Sequence, residues 1–448
     1  TQARQVAETQ RAALLPPSTE GAQAVCLTNA LSWLRGDIAS ADFPAEAIPA
    51  GLTGPDGQTH PTQTITRNGD TATVLFPVGV LPAFGYALFT PNGAPMPNGE
   101  LTVTETRLEN RFFRIELNPE GGVTRWYDKV HGREVLAAGA VGNDLQLLQD
   151  GPENEDAWNI HETIDKRRYP FEGETEITVR ETGPVRGVLH VRRTHRASTL
   201  EQDIIIYADL ERVDFATRVD WQERQTLLKV AFPVAIRTTR ATCEVQFGAY
   251  ERPTHRNTSW EQQKYEVPAH RWVDLSEAGY GVSLLNDSRY GCDVREHVMR
   301  LTLLRSTIYP DPQADRGEHQ FTYSLLPHAG NWVEANTVQR AWELNTPLVG
   351  HVGAWPPAFP AARSFINLAG TAAVIEALKP AEDGDGLILR LYEPHGARGE
   401  VRVALDFPVT QVLSCNLVEE NDQEIPLQER GFRFDIRPFQ ILTFRLRM

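Results

Sequence analysis

The sequence predicts a mainly β protein built from packed sandwiches. Three observations carry this. Apolar and polar residues alternate with a period of two at Phe113, Ile115 and Leu117, at Val213, Phe215, Thr217, Val219 and Trp221, and at Phe321, Tyr323 and Leu325. Runs of this kind are short, follow one another closely and are divided by Gly, Pro and Asn turns. Helix signals are scarce after residue 20. Many half-buried antiparallel strands in succession describe sheets packed face to face.

Taken in order, residues 1–18 stand apart. TQARQVAETQRAALL (1–15) contains no Gly or Pro and favours a helix, which Pro16 and Pro17 end. Val6, Ala13 and Leu14 fall roughly on one face. A single helix this short is marginal without partners, and a chain that opens without an initiator Met inside helix-like sequence reads as a fragment or a processed piece. From 19 to 106 the runs AVCLTNALSW, TATVLFPV and LTVTET predict a small β-sandwich, with a Pro- and Gly-rich connection over Asp42–Gln63 and a turn at MPNGE (96–100). The most closely spaced alternating runs fill 107–345 and predict a large sandwich. NTPL and GAWPPAFP make 345–360 loop-like, and a boundary is placed there. Beyond it, 346–448 alternates again. Val401, Val403, Leu405 and Phe407 share one face, and this tail reads as a second small sandwich.

The chain has 448 residues, 41% hydrophobic and 23% charged, which fits a globular protein with a real core. A formal net charge of −15 argues against nucleic acid and anionic membranes as partners, since both select basic patches. No stretch of 18 or more apolar residues is present, so no segment is expected to span a membrane. Cys26, Cys243, Cys292 and Cys415 lie far apart without metal-ligand spacing, which favours free thiols and a cytoplasmic location.

The segment from Arg252 to Trp332 carries Arg, His, Asp, Asn, Tyr and Trp together in four turn segments: Arg252–Trp260, Val267–Asp274, Asn286–Asp293 and Pro310–His319. Polar aromatic loops on a rigid scaffold are candidate sugar- or anion-binding edges. The candidates are Asn286, Asp287, Arg289 and Tyr290, then Asp315, Arg316 and His319, with Trp158 and Arg252–Trp260 in addition. Arg offers a fork of donors to hydroxyls, Asp accepts from two hydroxyls at once, and Tyr and Trp offer apolar faces. The alternative is an internal loop lock, with Arg316 paired to Asp287 or Asp315. Trp126, Trp221 and Trp272 sit in strand sequence and read as core. His255, His270 and His328 lack the pairing of a metal site and read as capping or buried hydrogen-bonding groups. Lys379 and Glu393 read as structural contacts of the tail.

RPTHRNTSW (252–260), YEVPAHRW (265–272), VSLLNDSRYGCDV (282–294) and ADRGEHQFTYSLLPHAGNW (314–332) closely resemble the C-terminal region of the glycoside hydrolase family 38 α-mannosidases, particularly the cytosolic type. The resemblance extends through NALSW, GYALF, GGVTRWYDKVHGREVL, LQLLQDGPENEDAW and EALKPAEDGDGLILRLYEPHGARG, over nearly all of the chain after about residue 20. It implies a large galactose-mutarotase-like supersandwich flanked by smaller β-sandwich domains, with the N-terminal helix a remnant of the bundle that follows a catalytic barrel. It also implies retaining hydrolysis of terminal α-mannose by paired carboxylates, assisted by zinc. The family's H-x-D-x-x-W zinc segment and W-x-x-D-x-F-G nucleophile segment are both absent here. The resemblance therefore implies no catalytic residue and no metal or cofactor in this chain, with zinc belonging to a catalytic domain outside it. The chain alone is expected to be inactive. Its partners would be an α-mannoside or oligosaccharide, that catalytic domain, and other copies in a homo-oligomer. Two other readings remain: a stand-alone carbohydrate-binding β protein, and a mutarotase-like epimerase. The latter needs a facing His acid and Glu base that the sequence does not single out.

Overall fold

The computed structural model describes residues 21–93, 100–152, 154–356 and 359–448. The helix expected over 1–15 and most of the turn at 96–100 lie outside the described residues. The regular structure of the described chain is nearly all strand, as the alternation predicts, and the chain forms two compact units. One takes the strands from Ala22 to Asn92, the short stretch Phe247–Ala249 and the run Thr346–Met448; the other takes 100–246 and Tyr250–Asn345.

The second unit holds a nine-stranded, a six-stranded and a five-stranded sheet. In the nine-stranded sheet, Ser198–Tyr207, Val213–Trp221, Gly317–Ala329, Tyr280–Asn286 and Trp272–Glu277 are consecutive neighbours, all antiparallel. The alternating residues behave as the period dictates. Phe215 pairs in register with Tyr323, and their rings stack at 5.0 Å inside one apolar cluster. Each large side chain buried there contributes about 1.5–3 kcal/mol. Trp126, Trp221 and Trp272 are fully buried, as expected for core residues. The six-stranded sheet places Asp144–Gln149, Thr226–Pro233 and Val298–Arg305 side by side. Thr226–Pro233 is buried along nearly its whole length, Lys229 included. Lys229 is tolerated there because Nζ meets Asp293 Oδ2 at 2.6 Å and Glu266 Oε1 at 2.5 Å.

In the first unit, a nine-stranded sheet contains Ala22–Asn29, Arg35–Pro44, Thr71–Leu81 and Gly85–Asn92. Here the structure corrects the loop-like reading of 345–360. Leu348–Trp355 is a strand inserted between Ala22–Asn29, to which it runs antiparallel, and Arg35–Pro44, to which it runs parallel. Its two glycines had masked the pattern, but Gly350 is required: a Cβ there would lie 2.4 Å from Val25 Cγ1. A helix, Thr337–Asn345, precedes it and was not foreseen. The tail forms a three-stranded and a five-stranded sheet around one core, with Val401, Val403 and Leu405 buried and Phe407 packed against them. Glu393 accepts from the backbone of His395, Gly396 and Phe439, and Lys379 pairs with Glu382 and Glu419. Both are structural contacts of the tail.

Candidate functional site

Two strand ends of the six-stranded sheet seed the site. Asp150 follows the strand Asp144–Gln149, and Arg305 closes the strand Val298–Arg305; the strand between them begins at Thr226. Both residues therefore stand at one end of the sheet. Arg305 Nε donates to Asp150 Oδ2 at 2.6 Å, and its outer nitrogens donate to the carbonyls of Asp156, Ala157 and Asn159. Buried Asp156 accepts in return from the backbone N–H of Ile308 at 2.7 Å and of Tyr309 at 2.9 Å. Two loops far apart in sequence are thus sewn together through charge-assisted bonds to backbone, which fix loop shape more firmly than neutral contacts do.

The seam leaves two aromatic rings outside. Trp158 is 67% exposed and Tyr309 55%, with ring centroids 6.3 Å apart. The same loop continues to Asp315, whose Oδ2 accepts from Arg305 N at 2.8 Å and whose carbonyl accepts from His319 Nε2 at 2.9 Å. Arg316 donates to Gln313 Oε1 at 2.8 Å and to Gln222 Oε1 at 3.1 Å. The alternative weighed for Arg316, a lock on Asp287 or Asp315, takes the form of a loop tie to these two neutral partners. Its Nε is enclosed without a partner.

The turn after Tyr280–Asn286 meets the same strand. Asp287 Oδ2 accepts from Thr322 N at 3.0 Å, and Arg289 lies 4.3 Å over the Phe321 ring. Burial pulls the Arg289 guanidinium below its usual range, against the pull of Asp315 and Asp287. Asn286 is buried; its amide donates to His270 O at 2.6 Å and accepts from Arg289 N at 2.7 Å, so its structural work is to shape the turn. Tyr290 is 52% exposed beside the His270 ring. Trp158, Arg316, His319 and Asp287 are thus joined through one set of loops, with Asn286 beneath and Tyr290 beside it. Sequence reading missed Arg305, Asp150, Asp156, Gln222 and Tyr309. The one signal for them was a charged or aromatic residue at a strand end beside Pro-rich sequence.

The three histidines weighed as a cluster are dispersed. His328 Nε2 bonds Asp274 Oδ2 at 2.8 Å, His270 contacts Gln246, and His255 lines a separate cavity. Among the described residues, no three His, Cys, Asp or Glu side chains gather in a way able to hold a metal ion. The donor set does not fit the family's zinc, and no step of hydrolysis is assigned to a metal on these residues. No described helix is long and apolar enough to cross a membrane.

Comparison with known proteins gives the following. The family model described as the glycosyl hydrolases family 38 C-terminal domain matches residues 108–313, and that of the family 38 C-terminal beta sandwich domain matches 372–444. Alpha-mannosidase 2C1 of Homo sapiens is 34% identical over 450 residues, covering 97% of this chain and 41% of the human protein. Alpha-mannosidase G of Dictyostelium discoideum is 34% identical over 352 residues, covering 75% of this chain and 32% of its own length. This chain spans less than half the length of these relatives. The crystal structure of an alpha-mannosidase from Enterococcus faecalis V583 superposes with a TM-score of 0.77 at 15% identity, over 99% of this chain and 58% of that one, which establishes a shared fold.

Proposed function

Because the chain belongs to glycosyl hydrolase family 38 and carries its two C-terminal domains, we propose that it is the β portion of a cytoplasmic α-mannosidase. The parent reaction is hydrolysis of terminal α-mannose with retention, through a glycosyl-enzyme intermediate. The reacting carboxylates and the zinc belong to a catalytic domain of the family, and the residues here perform neither role. The contribution of this chain is a scaffold and a sugar-handling rim. The observation that carries the rim is the exposed Trp158–Tyr309 pair held by the Arg305 seam. Two large apolar faces at a fixed separation in water suit the C–H side of pyranose rings. Arg316 and Asp287 stand in the connected loops as donors and acceptors for hydroxyls, while Asn286 positions the turn that carries Asp287 and Tyr290. Assembly into a homo-oligomer is part of this proposal.

The test uses the enzyme in which this chain is joined to a family 38 catalytic domain. Trp158→Ala and Tyr309→Ala should each raise KM for a mannosyl oligosaccharide about fivefold, the equivalent of about 1 kcal/mol of lost contact. kcat on an aryl α-mannoside should be unchanged. An unaltered KM for both substrates would remove the rim from the proposal. The chain by itself, with zinc or cobalt added, should not turn over an aryl α-mannoside; turnover above a blank would refute the assignment of the chemistry to another domain.

A further inference from the structure

The large unit has a groove that the loop seam does not use. Its volume is about 630 Å³, and it is bounded by the turn Asn118–Gly122, residues 140–145, the segment Arg168–Phe171, and Arg193. Arg193 lies in the strand Arg186–His195 and is 9% exposed. Its Nε is enclosed without a partner, and among the described residues its guanidinium makes no hydrogen bond and no ion pair. Its close contact is the face of Phe171, 4.8 Å from ring centroid to Cζ. Two carboxylates lie near enough to be felt, yet neither closes on it. Asp144 is held by Arg168 in a two-pronged pair at 2.7 and 2.9 Å, and Glu120 is exposed at the mouth. Burial pulls the Arg193 guanidinium below its usual range, with Tyr323, Asp144 and Glu120 opposing.

The wall beside Arg193 is firmly built. Tyr323 OH donates to Asn143 Oδ1 at 2.6 Å, and Asn143 Nδ2 donates to Gln202 Oε1 at 2.7 Å. Gln202 Nε2 donates to Tyr323 OH at 2.8 Å and to Thr217 Oγ1 at 2.9 Å. All four side chains are buried, and Thr217 Oγ1 donates onward to the Phe215 carbonyl at 3.2 Å. The neighbouring polar groups are satisfied; Arg193 Nε is not, and its outer nitrogens face the groove without a partner among the described residues. A desolvated cation with unmet donors is costly until an anion completes it, and the planar fork of Arg matches carboxylate and phosphate oxygens in pairs.

We propose that this groove binds a small sugar bearing an anionic group, a carboxylate or a phosphate, with that group seated on Arg193 and the hydroxyls turned toward Asn118 at the mouth. The site is independent of the mannoside rim and its test needs no turnover.

Isothermal titration of the whole chain would use glucuronate, mannose 6-phosphate, neutral mannose and inorganic phosphate as probes. Saturable binding of glucuronate or mannose 6-phosphate is expected, at least tenfold tighter than mannose, and the stronger of the two distinguishes carboxylate from phosphate. Arg193→Met should weaken that binding at least tenfold while holding or raising the ligand-free thermal midpoint, because it removes an unpaired buried charge. Glu120→Gln removes a competing carboxylate and should tighten anion binding about threefold, a reading that holds even if Arg193→Met does not fold. Three results would overturn the proposal: no saturable binding of either anionic sugar, binding that survives Arg193→Met, or inorganic phosphate bound as tightly as mannose 6-phosphate.

Discussion

Arg305 and Asp150 stand 155 positions apart in sequence, yet Nε of one lies 2.6 Å from Oδ2 of the other. Asp150 is almost wholly buried, and the same guanidinium holds the carbonyls of Asp156 and Asn159. Arg305→Met would strand a buried carboxylate. The expected loss is about 3–5 kcal/mol in urea unfolding, because one partner of a buried pair is removed and the other stays. Amide exchange should quicken at 154–159 and 307–315 ahead of the sheets. Exchange unchanged in both loops would show that they hold their shape without the arginine.

Arg316 tests the rim differently. Its partners, Gln313 and Gln222, are neutral and its setting is half exposed. Arg316→Ala should therefore cost only about 1 kcal/mol of stability. In a protein that joins this chain to a family 38 catalytic domain, substrate affinity should fall more than stability does. Full activity at unchanged KM would make Arg316 a loop tie alone.

Lys229 sits 2% exposed between Asp293 and Glu266. Lys229→Met should cost about 3–5 kcal/mol, and adding Asp293→Asn should recover part of that. For the Asp293 carboxyl, burial pushes up, but Lys229 and Arg300 together pull it below its ordinary value. A carboxyl lowered on folding lends stability that is complete above its unfolded pKa, about 4, and lost as pH falls through the folded one. The acid limb of a stability–pH curve should thus flatten in Asp293→Asn. An unchanged limb would assign the acid sensitivity to other carboxylates.

His195 carries a second pH effect at milder acidity. It is fully buried, Nδ1 accepts from Glu172 N at 2.9 Å, and Nε2 has no hydrogen-bond partner. Burial lowers its pKa, with Glu223 opposing. Folding therefore favours the neutral ring, and protonation would set Nδ1–H against the Glu172 N–H. This contribution is whole above the unfolded pKa, about 6.5, and declines as pH falls below it toward the folded value. The thermal midpoint should drop between about pH 7 and pH 5, and His195→Gln should drop less. Equal drops in both proteins would clear His195 of the effect.

The strands were legible where a single face is buried. Val213–Trp221 alternates in sequence, and in burial from Phe215 onward, and Trp126, Trp221 and Trp272 are core as their setting suggested. Leu348–Trp355 was not legible: it is an inner strand with small residues where neighbouring side chains crowd, so period and β-branching are both diluted. Of the loops proposed as a rim, Trp158, Asp287, Tyr290, Arg316 and His319 were singled out because polar and aromatic loop residues stand out between apolar runs. Arg305 and Asp156 were not, because their roles arise from chain reversals that bring distant backbone within reach. The partners of Arg316 were misjudged because charge suggests a carboxylate, whereas two glutamines stood closer in the fold.

The strand Leu348–Trp355 has a consequence for biosynthesis. Cys26 pairs with His351 and Ala39 with Leu348, so neighbours in the sheet are separated by about three hundred residues of translation. Until the ribosome has delivered that late strand, Ala22–Asn29 and Arg35–Pro44 each present an unfilled edge. Pairings this distant close slowly and leave sheet edges open to foreign strands meanwhile. Chaperone demand during synthesis should therefore concentrate on the earliest segment of the described chain rather than on the large sandwich, whose strands pair mostly with near neighbours in time.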